Sequence, residues 1–199
     1  MSALMNRAAF FTAIRPHFPG RLSDEQVRRI SVLLDATKVT QLERRAYIFA
    51  TAHHETDAFR AFEEYGKGKG RPYGKPIELF PGYSRTYYGR GYCQLTWCYL
   101  YAKLALVVDV DLVNEPERAA DERIAARIIV EGMERGLFTG RKLFQYISHE
   151  GVDYVGARKI INGTDRAEHI AGVARMYERA FRSAAETVVA EAYPDNPLE

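Results

Sequence analysis

Ala46-Tyr47-Ile48-Phe49-Ala50-Thr51-Ala52 is apolar nearly all round if wound into a helix. Leu42, Ala46, Phe49 and His53 fall on one stripe of that helix, and Ile48 and Ala52 on another. A helix with no polar face must lie at the centre of its fold with other elements wrapped around it. Thr40-Gln41-Leu42-Glu43 reads as a capping box that starts it. The helix runs into His53-His54-Glu55-Thr56, so a carboxylate stands at the end of a buried element. A chain of 199 residues can bury such a helix and still be one domain, residues 1–199.

The wrapping elements read as helices too. Ser23-Asp24-Glu25-Gln26 is a second capping box, and Val27, Ile30, Leu33 and Leu34 then share one face. Asn114 and Pro116 open a helical region carried by Ala119, Ile124, Ile128, Ile129 and Met133 and ended near Gly136. A last helix runs from about Ala167 past Phe181, after the Asn162-Gly163 turn. Gly66 to Pro76, with its glycines, prolines and cations, reads as a mobile surface loop. Pro81 to Tyr101 is rich in tyrosine and punctuated by glycine. The expected class is mainly α, with a small irregular or β segment near a cleft.

Composition narrows the partners. A net charge of +2 gives no reason to expect nucleic acid. No apolar run approaches the roughly 18 residues of a membrane span, so stable membrane insertion is not expected. Met1 to Phe18 sets Ala-Ala-Phe-Phe between Arg7 and Arg15 and does not read as a signal peptide, so synthesis in the cytoplasm is expected. Cys93 and Cys98 stand five residues apart, beyond the roughly 7 Å disulfide limit if the segment is helical. They read as two buried thiols.

Glu55 is the first candidate for chemistry. Burial and the negative end of the helix dipole both favour its neutral acid form. His53 and His54 beside it invite a metal reading, but the zincin pattern His-Glu-x-x-His ends here on Ala58, and no metal is expected. Glu63 and Glu64 follow closely, and about 30 Å of extended chain is ample to fold either back towards Glu55. An inverting glycosidase needs two carboxyl groups roughly 6.5–9.5 Å apart, with room for a water between them. The run Tyr87-Tyr88-Gly89-Arg90-Gly91-Tyr92-Cys93-Gln94-Leu95-Thr96-Trp97 lacks the third glycine of a dinucleotide loop. Were Tyr92 to Trp97 extended, Gln94 and Thr96 would share a polar face, and Cys93, Leu95 and Trp97 would anchor in the core. Tyr83, Tyr87, Tyr88 and Tyr99 offer flat faces suited to pyranose rings, although buried core tyrosines explain any single one as well.

In order along the chain, His54-Glu55-Thr56, Glu63-Glu64-Tyr65-Gly66, the Tyr87 to Trp97 run and Ile160-Ile161-Asn162-Gly163 resemble the signatures of family 19 glycoside hydrolases. That family includes chitinases and phage endolysins. The resemblance covers about Phe10 to Phe181. It implies a lysozyme-like helical fold and hydrolysis with inversion. It matches Glu55 to the general acid and Thr96 to the residue that holds the water. It matches Glu64, nine residues on from Glu55, to the general base, with adjacent Glu63 as the alternative register. Gln94, Asn162, Tyr87 and Trp97 take substrate-binding positions. The chain departs from the chitinase pattern in Cys98-Tyr99-Leu100, where Asn-Tyr-Asn is common, and at Thr164, where a glycine is usual. The resulting expectation is a monomeric endolysin-type hydrolase without cofactor, cleaving β-1,4 bonds of peptidoglycan after release to the wall. A chitinase is the alternative within the class, and a non-catalytic wall-binding protein the alternative outside it.

Overall fold

The computed structural model describes residues 5–37 and 41–192, with side chains described as far as 188. Six α-helices stand among the described residues: α1 (Arg7–Ile14), α2 (Asp24–Ala36), α3 (Leu42–Glu55), α4 (Cys98–Val108), α5 (Glu122–Arg135) and α6 (Ala167–Ala192). Two small antiparallel hairpins accompany them, β1 (Ile77–Phe80) with β2 (Tyr83–Arg85), and β3 (Ile147–Ser148) with β4 (Gly151–Val152). The class is mainly α, as expected.

α3 is the centre that its composition demands, with every residue from Ala46 to Ala52 buried. Long α6 packs along it, and α1 packs on α6. Phe49 meets Tyr177 at 5.4 Å and Phe181 at 5.3 Å, while Phe10 of α1 stacks on Phe181 at 4.8 Å. α5 packs against both α2 and α4. The Ser23 capping box forms: Ser23 Oγ accepts from Gln26 N at 3.2 Å, and Ser23 N donates to Gln26 Oε1 at 2.9 Å. The Thr40 box cannot be compared in full, because Thr40 lies outside the described residues. Gln41 is the N-cap of α3 and makes no side-chain capping bond.

Three readings need correction. α1 and α4 are helices that the sequence reading does not foresee. Tyr92 to Trp97 is not extended: Gln94 (φ 48°) and Trp97 (φ 69°) take left-handed backbone conformations, and the segment turns tightly. Trp97 therefore faces outward at 41 % exposure instead of anchoring in the core. Of the two cysteines, both free, only Cys93 is buried, and Cys98 as the first residue of α4 is partly exposed.

Candidate active site

The site begins where α3 ends. Thr56 closes the helix, its Oγ1 donating to Ala52 O at 2.5 Å and accepting from Phe59 N at 2.9 Å. Asp57, Ala58 and Phe59 then all have positive φ, at 49°, 58° and 65°. For such residues this conformation costs roughly 1–2 kcal/mol each, so something outside the turn must hold it. Buried α2 side chains do: Gln26 Nε2 donates to Ala58 O at 2.8 Å, and Arg29 Nη1 donates to Phe59 O and Arg60 O, each at 2.8 Å. The left-handed turn reverses the chain and lays Phe62 to Glu64 beside Gly89 to Gly91. Glu64 N donates to Gly89 O at 2.8 Å, Gly91 N donates to Phe62 O at 2.9 Å, and Glu63 bridges Arg90. That is how the acidic pair returns to the neighbourhood of the tyrosine-rich run.

Beside the end of α3 lies a cleft of about 320 Å³, lined by Glu55, Gln94, Thr96, Trp97 and Asn162 among others. Five of the seven predicted site residues thus meet in one cavity. Glu64 is not among its lining residues. The Glu64 carboxylate accepts from Tyr73 Oη at 3.0 Å and from Gly89 N at 3.3 Å. Glu63 is held elsewhere, accepting from Tyr88 Oη at 2.7 Å with buried Arg90 Nε at 3.5 Å. Tyr87 is a correction: it is fully buried and its hydroxyl donates to Val113 O at 2.9 Å, so it offers no face to a sugar. Tyr88 is core as well, whereas Tyr99 lines the cleft and is 65 % exposed.

Arg158 is the site residue that sequence reasoning misses. It is 2 % exposed, its Nη1 donates to Glu55 Oε1 at 2.7 Å, and its Nε donates to Asp165 O at 2.9 Å. The turn Gly156–Ile160 that carries it lies far along the chain from α3, and no local pattern marks an arginine there as buried. The neighbouring histidines are structural partners. His53 Nδ1 lies 2.9 Å from Tyr177 Oη, and the His54 ring meets that of His169 at 5.9 Å. Burial pushes the Cys93 thiol up to about 12, which keeps it protonated and unreactive beside the cleft.

The glycine-rich stretch Gly66 to Pro76 folds back on itself. A Cβ on Gly74 would lie 1.9 Å from Gly68 O, so two backbone segments touch where only glycine fits. Tyr73 on this loop reaches Glu64, and its ring meets Trp97 at 5.7 Å. The loop therefore borders the site while Lys67, Lys69, Arg71 and Lys75 stay exposed.

A carboxylate at a helix end, a hydroxyl and two amides thus line one cleft in a mainly helical, lysozyme-like fold. Solved structures give it a more particular address. A bacterial family 19 chitinase superposes on 92 % of this chain and 95 % of its own, with a TM-score of 0.63 at 20 % identity. Chitinase C from Streptomyces griseus does so over 92 % and 95 %, with a TM-score of 0.60 at 15 % identity. In sequence, an endochitinase of Arabidopsis thaliana is 34 % identical over 88 residues, 43 % of this chain and 30 % of that protein. An acidic endochitinase of Beta vulgaris is 31 % identical over 120 residues, 58 % of this chain and 36 % of that protein. The chain thus spans about a third of the length of the curated relatives it matches. No family profile matches it. The chain has the fold of the family 19 chitinases, in line with the resemblance of its motifs.

Proposed function

We propose that this protein hydrolyses β-1,4 bonds between N-acetylated amino sugars with inversion, acting as a monomer without a cofactor. Glu55 protonates the glycosidic oxygen as the bond from C1 breaks. Glu64 takes a proton from the water that attacks C1 from the opposite face, and Thr96 orients that water. Gln94, Asn162 and Trp97 bind the sugar chain. The observation that carries the reading is the convergence of Glu55, Thr96, Gln94 and Asn162 on one cleft from three separate stretches of chain. Glu64 is assigned as the base over Glu63 by its nine-residue offset from Glu55, and Glu63 is engaged away from it by Tyr88 and Arg90. A non-catalytic binding module has no use for an acid and a hydroxyl so placed.

Chitin is the first substrate of this reading, since the relatives and structural neighbours named above are chitinases. Peptidoglycan, cut by an endolysin made in the cytoplasm, is the second. It is favoured by the four exposed cations of the loop bordering the site, which suit an anionic wall. Mass spectrometry of products from chitin oligomers and from purified peptidoglycan, run side by side, separates the two. Product from neither would overturn the proposal. For the second reading, neutralising Lys67, Lys69, Arg71 and Lys75 should slow wall lysis at low salt and matter little at high salt, because the screening length is already about 8–10 Å at ordinary salt and falls to about 3 Å at 1 M.

A further inference from the structure

Gly132 sits inside α5, where glycine lowers helix stability by about 1 kcal/mol relative to alanine. A Cβ there would lie 2.2 Å from Phe138 Cζ and 2.3 Å from Phe138 Cε2. The helix thus forgoes a side chain, and the ring of Phe138 lies directly on its backbone. The chain returns over α5 to place it, with Leu137 N donating to Gly132 O at 2.8 Å. On the other flank, Thr139 Oγ1 donates to Lys159 O at 2.7 Å and approaches Ile160 O at 3.0 Å. Phe138 is held between α5 and the segment leading to Asn162. It is only partly buried, and it lines the cleft together with Leu100 and Ile161. In a cavity whose other lining includes a carboxylate, a hydroxyl and amides, these three supply a fixed apolar patch.

We propose that Phe138, seated on Gly132, is a specificity-determining residue whose ring receives the acetyl methyl of an N-acetylated amino sugar. The proposal rests on the glycan-hydrolase reading above. An acetamido group is polar at its amide and apolar at its methyl, so a site that selects it needs hydrogen-bonding groups and one apolar seat. A preset ring loses little freedom on binding, which makes the seat selective.

Trp97 is the chain's one tryptophan and lines the same cleft, so its fluorescence reports occupancy directly. The experiment uses the Glu55→Gln protein, to prevent turnover, and titrates it with the chitin tetramer and its N-formyl analogue. The analogue keeps each amide and loses only the methyl. The acetylated tetramer should bind about fourfold more tightly, the effect of burying one methyl-sized group. Adding Phe138→Ala should bring the two affinities together, and Gly132→Ala, which displaces the ring, should do the same. A merely structural role would weaken both ligands equally and leave their ratio intact. An unchanged ratio in folded Phe138→Ala, or equal affinities before any change at Phe138, would overturn the inference while leaving the hydrolase reading in place. No response of Trp97 to either tetramer would overturn the inference and, with it, chitin as the substrate. Should Phe138→Ala fail to fold, Phe138→Gln keeps bulk over Gly132 but offers the methyl a polar surface, and is judged by the same ratio.

Discussion

Glu55→Gln keeps an oxygen that can accept from Arg158 Nη1, so that contact survives while the proton donor is lost. Hydrolysis of chitin oligomers should fall by about 10²–10⁴-fold with little change in melting temperature. Activity near that of the unaltered protein would remove Glu55 as the acid. The adjacent carboxylates should separate by kind of damage. Glu64→Gln should abolish turnover and spare stability. Glu63→Gln should chiefly lower stability, because buried Arg90 then loses its anionic partner. Thermal melts and initial rates on both variants settle the register, and a dead but stable Glu63→Gln would reverse it. Thr96→Ala should raise the barrier by about 1–3 kcal/mol, while Thr96→Ser restores the rate. That Glu55, Gln94, Thr96, Trp97 and Asn162 meet at one cleft is legible in the sequence because they sit in ordered, chemically distinctive blocks, although Trp97 faces outward there rather than anchoring in the core. Arg158 is not, since its role depends on a contact between distant segments. Tyr87 misled because a tyrosine beside glycines serves a core as readily as a sugar site.

At the scale of elements, legibility followed local signals. The Ser23 capping box and the all-round apolar α3 carry their own evidence. α4 does not: it starts after Trp97 at φ 69°, its N-cap makes no side-chain bond, and its sequence CYLYAKLALVV has no clear polar face. Its position is set by packing against α5, which no local pattern reveals. The Asp57 to Phe59 turn was hidden for a similar reason, being held by Gln26 and Arg29 of α2. Helix α5 shows the reverse case: its cap is Asp121, whereas the sequence pattern opens the helical region at Asn114 and Pro116. Asp121 Oδ1 accepts from Arg123 N at 3.0 Å and Ile124 N at 3.1 Å, so Asp121→Ala should lower stability by about 1 kcal/mol. Because α5 also carries the seat of Phe138, urea unfolding of this variant should be read alongside ligand affinity. A stability loss with unchanged affinity is expected, since the cap lies about three helical turns from Gly132.

For the whole molecule, buried His53 makes stability depend on pH, and partly buried His54 shifts in the same direction, chiefly by burial. His53 lies within α3, its ring against Phe18, Phe59 and Tyr177. Burial, chiefly, pushes it from the ordinary 6.5 down to about 4. The nearby imidazoles of His169 and His54 and the Arg60 guanidinium act in the same direction, against a weaker pull from Asp57. Unfolding frees the ring to take a proton near its ordinary value. Above that value neither state is protonated there, and the contribution of His53 to stability is complete. As pH falls through the window between 6.5 and 4, the unfolded chain gains a proton that the folded one refuses, so stability declines. The decline approaches about 1.4 kcal/mol per pH unit and is on the order of 3 kcal/mol across the window. Carboxylates titrate in the lower part of this range too, but equally in the protein and in a His53→Gln variant. Urea unfolding of both across the window should therefore give a difference in slope of close to one proton, with the variant the flatter. Parallel curves would show that the ring opens to water before the fold does, and that α3 is less tightly enclosed at its C-terminal end than its packing implies.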